Sequence, residues 1–442
     1  MHLVNDYSIS DFAIQQSFLK PTYRQLPNSE LLDFGRRNNP MSVFYPLLFS
    51  VILFSLFGLI CWALLVALNH PWWKFKFAKR GILVIPLAGI FFALIWAGAY
   101  YFDQKWLILP GAVGLSSIVI LQIALIFSLP LSGIAHGIIY IVKKIRKWGS
   151  PRTEIYEVDK RRRAFLKAVP AIIPSVMIAS ATSGIARSFE KTRIPNKTFY
   201  YPELRDILEN LKILQISDSH LGLFLDLDNY KEMINDAMKL NPDLVLLTGD
   251  IADNLDWLPE TLRMSLELKP KYGTYACLGN HEYYRGIDRV RSIFDKSTIP
   301  LLINDGLTIE IDGGKLFIGG TDDPRSMGRV HPEFYKGAIE KSIQKAPEDS
   351  FTILMCHRPQ GFDFASEKGL GLTLSGHTHG GQIGLAGRSF FENLVSYKYL
   401  WGHYLKPNGS QLYTSAGVGH WLPFRLGCPP EAPLITLKRE IA

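Results

Sequence analysis

Five apolar runs in the second half of the chain each end in residues that bind metal ions well. The runs have the length of buried strands and cover 211–216, 243–248, 273–278, 351–356 and 371–375. The polar residues at their ends are Ser217-Asp218-Ser219-His220, Gly249-Asp250, Gly279-Asn280-His281-Glu282, His357-Arg358 and Gly376-His377-Thr378-His379. Because ligands bind at the carboxyl ends of strands in an α/β sheet, we expect these side chains to meet at one edge.

Carboxylate, imidazole and amide oxygen groups suit Mn²⁺, Fe or Zn²⁺, and the lack of thiolate in these motifs argues against a structural zinc site. Each motif alone is weak, since Gly-Asp is usually a turn and a lone histidine usually packs. Five of the eleven histidines nevertheless fall inside the motifs. The set predicts two divalent metal ions, roughly 3.5–4 Å apart, that clamp a phosphoryl group and generate hydroxide. Asp250 is the natural bridge between them.

The order Asp-x-His, Gly-Asp, Gly-Asn-His-Glu, His and Gly-His-Thr-His resembles the calcineurin-like metallophosphoesterase superfamily over about residues 211–440. Within it, residues 376–382 and 423–431 resemble the bacterial membrane-associated branch, which includes Tat-exported and UDP-2,3-diacylglucosamine pyrophosphatase-like phosphodiesterases. The resemblance implies a four-layer α/β/β/α sandwich with two mixed sheets. It assigns one metal to Asp218, His220, Asp250 and His379, the other to Asp250, Asn280, His357 and His377, and a catalytic role beside the phosphoryl group to His281.

The chain divides into four segments. Residues 1–42 form an extramembrane segment, 43–142 about three transmembrane helices, 143–200 a basic juxtamembrane stretch and linker, and 201–442 the catalytic domain. Amphipathic stretches at 228–240, 257–268, 285–296 and 333–345 alternate with the strands, and Gly313-Gly314 predicts a hairpin. The third apolar run, 107–142, exceeds one span, so we expect Pro130 to break or kink it.

Paired arginines, Arg162-Arg163, precede Ala164-Phe165-Leu166-Lys167 and a mildly apolar run. This order resembles the twin-arginine (Tat) export signal, and the alternative is a basic patch before an ordinary fourth span. Basic residues at 74–80 and 143–163 favour cytoplasmic loops there, which would place the catalytic domain on the periplasmic or exterior side of a multi-pass bacterial inner-membrane protein. Arg36 and Arg37 argue for the opposite orientation.

The charge of the chain is unevenly distributed. Residues 201–442 carry 25 basic and 31 acidic side chains, and the remainder carries 23 and 9. The excess of positive charge therefore lies with the membrane segments, so we expect no specific nucleic-acid binding. Four cysteines without a CxxC pair predict no disulfide framework. Trp421 and Phe424 can either pack or shelter a lipid or sugar.

Three functional hypotheses remain open. The first is an exported, tethered phosphoesterase, expected to be a phosphodiesterase, that acts on an envelope phosphodiester, a phospholipid or a nucleotide. Its partners would be the lipid bilayer, the Tat translocase and a substrate that can be lipid-linked. The second is the same enzyme facing the cytoplasm and cleaving UDP-2,3-diacylglucosamine. The third, from another class, is a membrane sensor that binds metal or phosphate without turnover.

Overall fold

The fold is taken from a computed structural model of the chain, which describes residues 41–68, 71–102, 104–149, 160–325 and 330–440. The predicted extramembrane segment 1–42 lies almost entirely outside the described residues. So do residues 150–159 of the basic stretch.

Four long helices form the first part of the described chain: α1 (Met41–Ala67), α2 (Lys76–Tyr101), α3 (Lys105–Gly149) and α4 (Lys160–Ser188). By length and composition, the first three can cross a membrane, through Leu47–Ala67, Lys76–Ala99 and Lys105–Ile145. They indicate a membrane protein. Within the described chain, α4 does not reach the same apolar content. Of the two alternatives predicted for Pro130, the break is wrong, because α3 continues through it, and the kink stays a prediction.

The second part of the chain is mixed α/β, as predicted. All five apolar runs are strands: β2 (Lys212–Ile216), β3 (Leu244–Thr248), β4 (Thr274–Cys277), β8 (Phe351–Met355) and β9 (Leu372–Ser375). The predicted hairpin is present as β6 (Asp305–Ile311) and β7 (Gly314–Gly320), which pair antiparallel. The remaining strands are β1 (Asn196–Tyr201), β5 (Leu301–Leu302), β10 (Gly384–Leu385), β11 (Arg388–Ser389), β12 (Gly402–Leu405), β13 (Gln411–Thr414) and β14 (Leu434–Arg439).

The strands form two six-stranded sheets, in the orders β1-β14-β2-β3-β4-β5 and β12-β13-β9-β8-β7-β6, and a small β10-β11 pair. A buried core that draws Ile213 and Leu246 from the first sheet and Ile353 and Leu374 from the second lies between them. The five ligand-bearing strands are therefore divided between two sheets, and the prediction of a single shared edge is wrong. Strand pairing is long-range, so the local pattern does not reveal it.

Amphipathic helices cover the outer faces of the sheets. Helices α5 (Leu227–Met238), α6 (Leu258–Leu266) and α8 (Ile287–Phe294) pack on the first sheet, and α9 (Pro332–Ser342) and α10 (Phe362–Glu367) on the second. A further short helix, α7 (Asn280–Arg285), begins at the end of β4 and was not predicted. The four cysteines are buried and free.

Candidate metal centre

Each predicted ligand lies within four residues of the end of its strand. Five of the seven have left-handed backbones, with φ of 51° at Asp218, 45° at His220, 52° at Asp250, 68° at His377 and 48° at His379. Non-glycine residues are uncommon in this region, and such residues cluster at functional sites. These left-handed conformations aim consecutive polar side chains back toward the strand ends.

The first group of side chains comprises Asp218, His220 and His379, whose ligand atoms lie within 4.8 Å of one another. The His220 and His379 Nε2 atoms are 3.2 Å apart, and His379 Nε2 is 3.7 Å from Asp218 Oδ1. All three side chains are buried. Two imidazoles and one carboxylate at this spacing can hold one divalent cation.

The second group comprises Asp250, His357 and His377, within the same limit. His357 Nε2 is 3.2 Å from Asp250 Oδ2, and its Nδ1–H donates to the carbonyl oxygen of Thr248 at 2.7 Å. That bond leaves the Nε2 lone pair free for a cation, as the outer hydrogen bond of a metal-bound histidine commonly does. Asp250 Oδ2 is also 3.6 Å from His220 Nε2, so this carboxylate stands between the two groups.

Asn280 adds a test of whether the residues fit a metal. Its Oδ1 is buried and finds no hydrogen-bond partner among the described residues. A buried amide oxygen without a donor is costly, and a cation would satisfy it. The donor set of oxygen and imidazole nitrogen, with no thiolate, suits the metals predicted from the sequence. Six of the seven predicted ligands thus lie in two adjoining groups, Asn280 follows Gly279 beside Asp250, and the role of all seven in metal binding stays a prediction.

His281 lies beside the first group and is partly accessible, with 17% of its side chain exposed. Its Nδ1–H donates to Asp253 Oδ1 at 2.6 Å, and its ring centroid is 4.3 Å from that of His220. Asp253 also accepts from Arg285 Nε at 3.1 Å. His220, Asp253 and His281 form a third compact group. Because Asp253 is already paired with these donors, we assign it to orienting His281.

Glu282 joins two of the ligand loops. Its buried carboxylate accepts from the backbone N–H groups of Asp250 at 3.0 Å, Ile251 at 2.8 Å and Gly279 at 2.8 Å. A Cβ at position 279 would collide with the Asp250 side chain, so only glycine allows this close approach. Glu282 belongs to the motif Gly279-Asn280-His281-Glu282, but its position there does not by itself predict this bridging role.

The buried side chain of Arg425 holds a loop that contacts the candidate site. Its residue type and position in the sequence predict no such role. Its buried guanidinium donates to the carbonyl oxygens of Ala416 at 2.6 Å and Gly419 at 2.5 Å, and lies 3.3 Å from His379 Nδ1. Gly419 N–H in turn donates to the Asp218 carbonyl oxygen at 2.8 Å. Arg425 therefore fixes a loop that touches two predicted ligands.

Burial and neighbouring charges act in opposite directions on the pKa values of Asp250 and His357, and bound cations would change those pKa values. Burial disfavours the Asp250 carboxylate, but His357, His220 and His281 together outweigh burial and hold the pKa of Asp250 well below its usual range. Burial likewise opposes the charge on His357, yet the charges of Asp250 and Asp218 raise its pKa to about 10. Burial lowers the pKa of His377 and of His379. Cation binding would therefore release protons from the cluster.

Arg358, which follows a predicted ligand, and two further histidines have structural contacts. Arg358 donates to both carboxylate oxygens of Asp323, at 2.8 and 3.1 Å, and is buried. His403 pairs with Gln411 at 2.7 Å. His420 is buried between two phenylalanine rings.

Comparisons with known proteins agree with the fold and the clusters. Residues 211–381 match the model of the calcineurin-like phosphoesterases. An uncharacterized metallophosphoesterase of Aquifex aeolicus is 32% identical over 237 residues, which cover 52% of this chain and 85% of that protein. An uncharacterized metallophosphoesterase of Helicobacter pylori is 30% identical over 259 residues, covering 58% and 66%. A transmembrane protein with metallophosphoesterase domain from Bos taurus is 26% identical over 308 residues, covering 66% and 66%.

The mixed α/β fold and its carboxylate–imidazole clusters define a metallophosphoesterase domain behind apolar helices. The chain belongs to the calcineurin-like phosphoesterase family, which confirms that part of the resemblance. It spans 66% of the length of the Helicobacter pylori relative.

Proposed function

We propose that this protein is a membrane-anchored phosphoesterase that uses two divalent metal ions. One observation carries the proposal: residues from four strand ends, up to about 160 positions apart in sequence, form two adjoining groups with Asp250 between them, and all of them are buried except the half-buried His377. Structural ion pairs rarely need so many imidazoles and carboxylates in one buried place, whereas binding of two cations does.

The ligand assignment follows the groups. Asp218, His220 and His379 would hold one ion, His357, His377 and Asn280 the other, and Asp250 both. Bound divalent ions would supply Lewis acidity and lower the pKa of bound water. Mn²⁺, Fe and Zn²⁺ all suit these donors.

His281 completes the chemistry. Its Nδ1–H is held by Asp253, so Nε2 is the atom left for the substrate. An imidazole there can donate a proton to the departing oxygen or stabilise charge on the phosphoryl group. Because His281 is one of the partly exposed side chains of the cluster, it lies where a substrate could reach it.

The remaining sequence predictions complete the proposal. The two sheets, with helices on both outer faces, support the four-layer α/β/β/α sandwich. Helix α4 contains Arg162-Arg163 and is less apolar than the three candidate spans, which favours a Tat-like signal over an ordinary fourth span. We therefore propose the Tat-exported branch in a bacterial inner membrane, with an exterior catalytic domain and a phosphodiester substrate.

The test is hydrolysis of bis(p-nitrophenyl) phosphate by the full chain in detergent with added Mn²⁺. We expect Asp250→Asn to remove nearly all turnover while leaving the fold intact. The matched control is Asp312→Asn, at a carboxylate that is 74% exposed, and it should behave as the parent. Parent-like turnover by Asp250→Asn would refute the assignment, and a parent inert toward all phosphoesters would favour the sensor hypothesis.

A further inference from the structure

An apolar patch borders the candidate site. Leu385, Phe390, Leu394, Val395 and Trp421, here called the apolar rim, are exposed by 80%, 61%, 66%, 46% and 59%. Single exposed apolar residues are ordinary, but several large ones on adjoining segments mark a surface that contacts protein or membrane.

The rim adjoins the predicted ligands at both ends of its longer segment. The turn His379–Gln382 contains one ligand and leads directly into β10, which carries Leu385. At the far end, the ring of Tyr397 lies 6.4 Å from that of His377. Residues 383–397 thus run from one ligand group to the other along the edge of the site.

The rim is also continuous with the membrane helices. Leu422 and Phe424 pack against Ile120 and Ala124 of α3, inside the candidate span Lys105–Ile145, and against Ala181 of α4. Phe424 lies so close to Gly184 that any side chain at 184 would overlap its ring.

Hydrogen bonds tie the rim to this anchored segment. Leu426 N–H donates to the Gln382 carbonyl oxygen, and Gly384 N–H donates to the Leu426 carbonyl oxygen, both at 2.9 Å. Arg425 N–H donates to the Gly184 carbonyl oxygen of α4 at 2.8 Å. The strand that carries Leu385 is therefore hydrogen-bonded to the segment whose residues Leu422 and Phe424 pack on a candidate membrane span.

From this continuity we infer that the apolar rim inserts into the lipid–water interface, and that the substrate is the phosphoester headgroup of a bilayer lipid. Apolar side chains beside a membrane span gain from leaving water, and tryptophan favours the interface. The headgroup would then reach His281 and the ligand groups without its acyl chains leaving the bilayer. The substrate class rests on the proposed function, whereas insertion of the rim does not.

Insertion can be measured without catalysis. All four native cysteines are buried, so a cysteine introduced by Leu394→Cys can be labelled selectively with the fluorophore NBD. In phosphatidylcholine nanodiscs we expect a blue-shifted emission that nitroxide-labelled lipids quench. The matched control is Leu405→Cys, at a residue 63% exposed on β12 and outside the rim, whose label should stay in water. Water-like emission from both labels would overturn the inference.

The substrate class is tested by comparing the rates of hydrolysis of two lipids in mixed micelles with those of their soluble, deacylated counterparts. Phosphatidylglycerol is compared with glycerophosphoglycerol, and phosphatidic acid with glycerol 3-phosphate. We expect one lipid to be cleaved much faster than its soluble counterpart. The double variant Phe390→Gln/Leu394→Gln should raise the half-saturating surface concentration of lipid roughly tenfold or more, because two apolar anchors are lost. It should leave hydrolysis of bis(p-nitrophenyl) phosphate unchanged, as should the control Leu405→Gln.

The outcomes separate the two proposals. Hydrolysis of bis(p-nitrophenyl) phosphate without cleavage of either lipid, or with faster cleavage of the soluble counterparts, would overturn the lipid substrate and leave the phosphoesterase intact. A chain inert toward all esters would overturn the proposed function and the substrate class together, while a quenched label would still establish insertion.

Discussion

Glu282→Gln tests whether one buried carboxylate holds the candidate metal centre together. The wild-type carboxylate accepts three backbone N–H groups, two at Oε2 and one at Oε1. A glutamine has the same shape but only one accepting oxygen. Whichever way the amide turns, its NH₂ faces at least one backbone N–H, so at least two buried donors, that N–H and the NH₂ itself, are left without an acceptor.

The magnitude follows from those two donors. Each buried polar group left unsatisfied costs about 1–3 kcal/mol, so the variant should lose about 2–6 kcal/mol. For a domain of this size, 1 kcal/mol shifts the thermal midpoint by roughly 2–4 °C, which predicts a fall of at least about 4 °C. Because the backbone donors belong to the loops of Asp250 and Asn280, Mn²⁺ affinity should also fall about 10–100-fold.

The assay is thermal unfolding of the full chain in detergent, with and without Mn²⁺, together with the Mn²⁺ dependence of ester hydrolysis. The matched control is Glu340→Gln, at an exposed carboxylate that pairs with Lys368 at 2.9 Å. Exposed ion pairs contribute little to stability, so its midpoint should change much less than that of Glu282→Gln. An unfolding midpoint and a Mn²⁺ dependence like those of the control would refute the role given to Glu282.

Three further predictions concern the same site. Asp253→Asn should lower kcat more on an alkyl diester than on bis(p-nitrophenyl) phosphate, because a poor leaving group depends more on a well-oriented His281; equal losses in steady-state assays would contradict this. Arg425→Met should raise the Mn²⁺ concentration needed for half-maximal activity, and an unchanged metal titration would show that the loop needs no such support. EDTA should lower the thermal midpoint, since metal at about 1,000 times its Kd stabilises by about 4 kcal/mol; a midpoint indifferent to EDTA would count against metal binding.

The strands that carry the predicted ligands were recognisable because each is a short apolar run that ends in polar residues. The observed first and last residues of these strands lie within one residue of the predicted ones. Other strands gave no such signal. In β1, buried and exposed residues alternate imperfectly, and its partner β14 lies more than 200 residues further on. A local pattern carries periodicity and not partners, so the pattern alone placed all five ligand-bearing strands at one edge, and only the family resemblance implied two sheets.

The candidate site shows the same limit at the level of side chains. The predicted ligands were recognisable by residue type at strand ends. Glu282, Asp253 and Arg425 escaped assignment because their partners are backbone groups or a side chain from another loop. For Glu282, the only local signal of a supporting role was its position beside His281. For Asp253, it was the spacing of three residues from Asp250.

The backbone conformations of the ligands explain what those supporting residues achieve. A left-handed conformation costs a non-glycine residue roughly 1–2 kcal/mol, so five such ligands carry strain comparable with the whole stability of an ordinary domain. The loops hold one another in place: Asp218 N–H donates to the Gly249 carbonyl oxygen, His220 N–H to that of Asp250, and His377 N–H to the Asp218 carboxylate.

These hydrogen bonds join groups of the protein itself. We therefore expect the free-energy cost of bringing the ligands together to arise during folding and not during metal binding. A small zinc domain, by contrast, folds only when its metal binds. We therefore expect the chain to stay folded after chelation, at a lower midpoint, and to regain activity when Mn²⁺ returns, with the near-ultraviolet circular dichroism largely preserved throughout. Loss of that signal on chelation would mean that the cations assemble the loops, and that the hydrogen bonds among Asp218, Gly249 and His377 do not suffice.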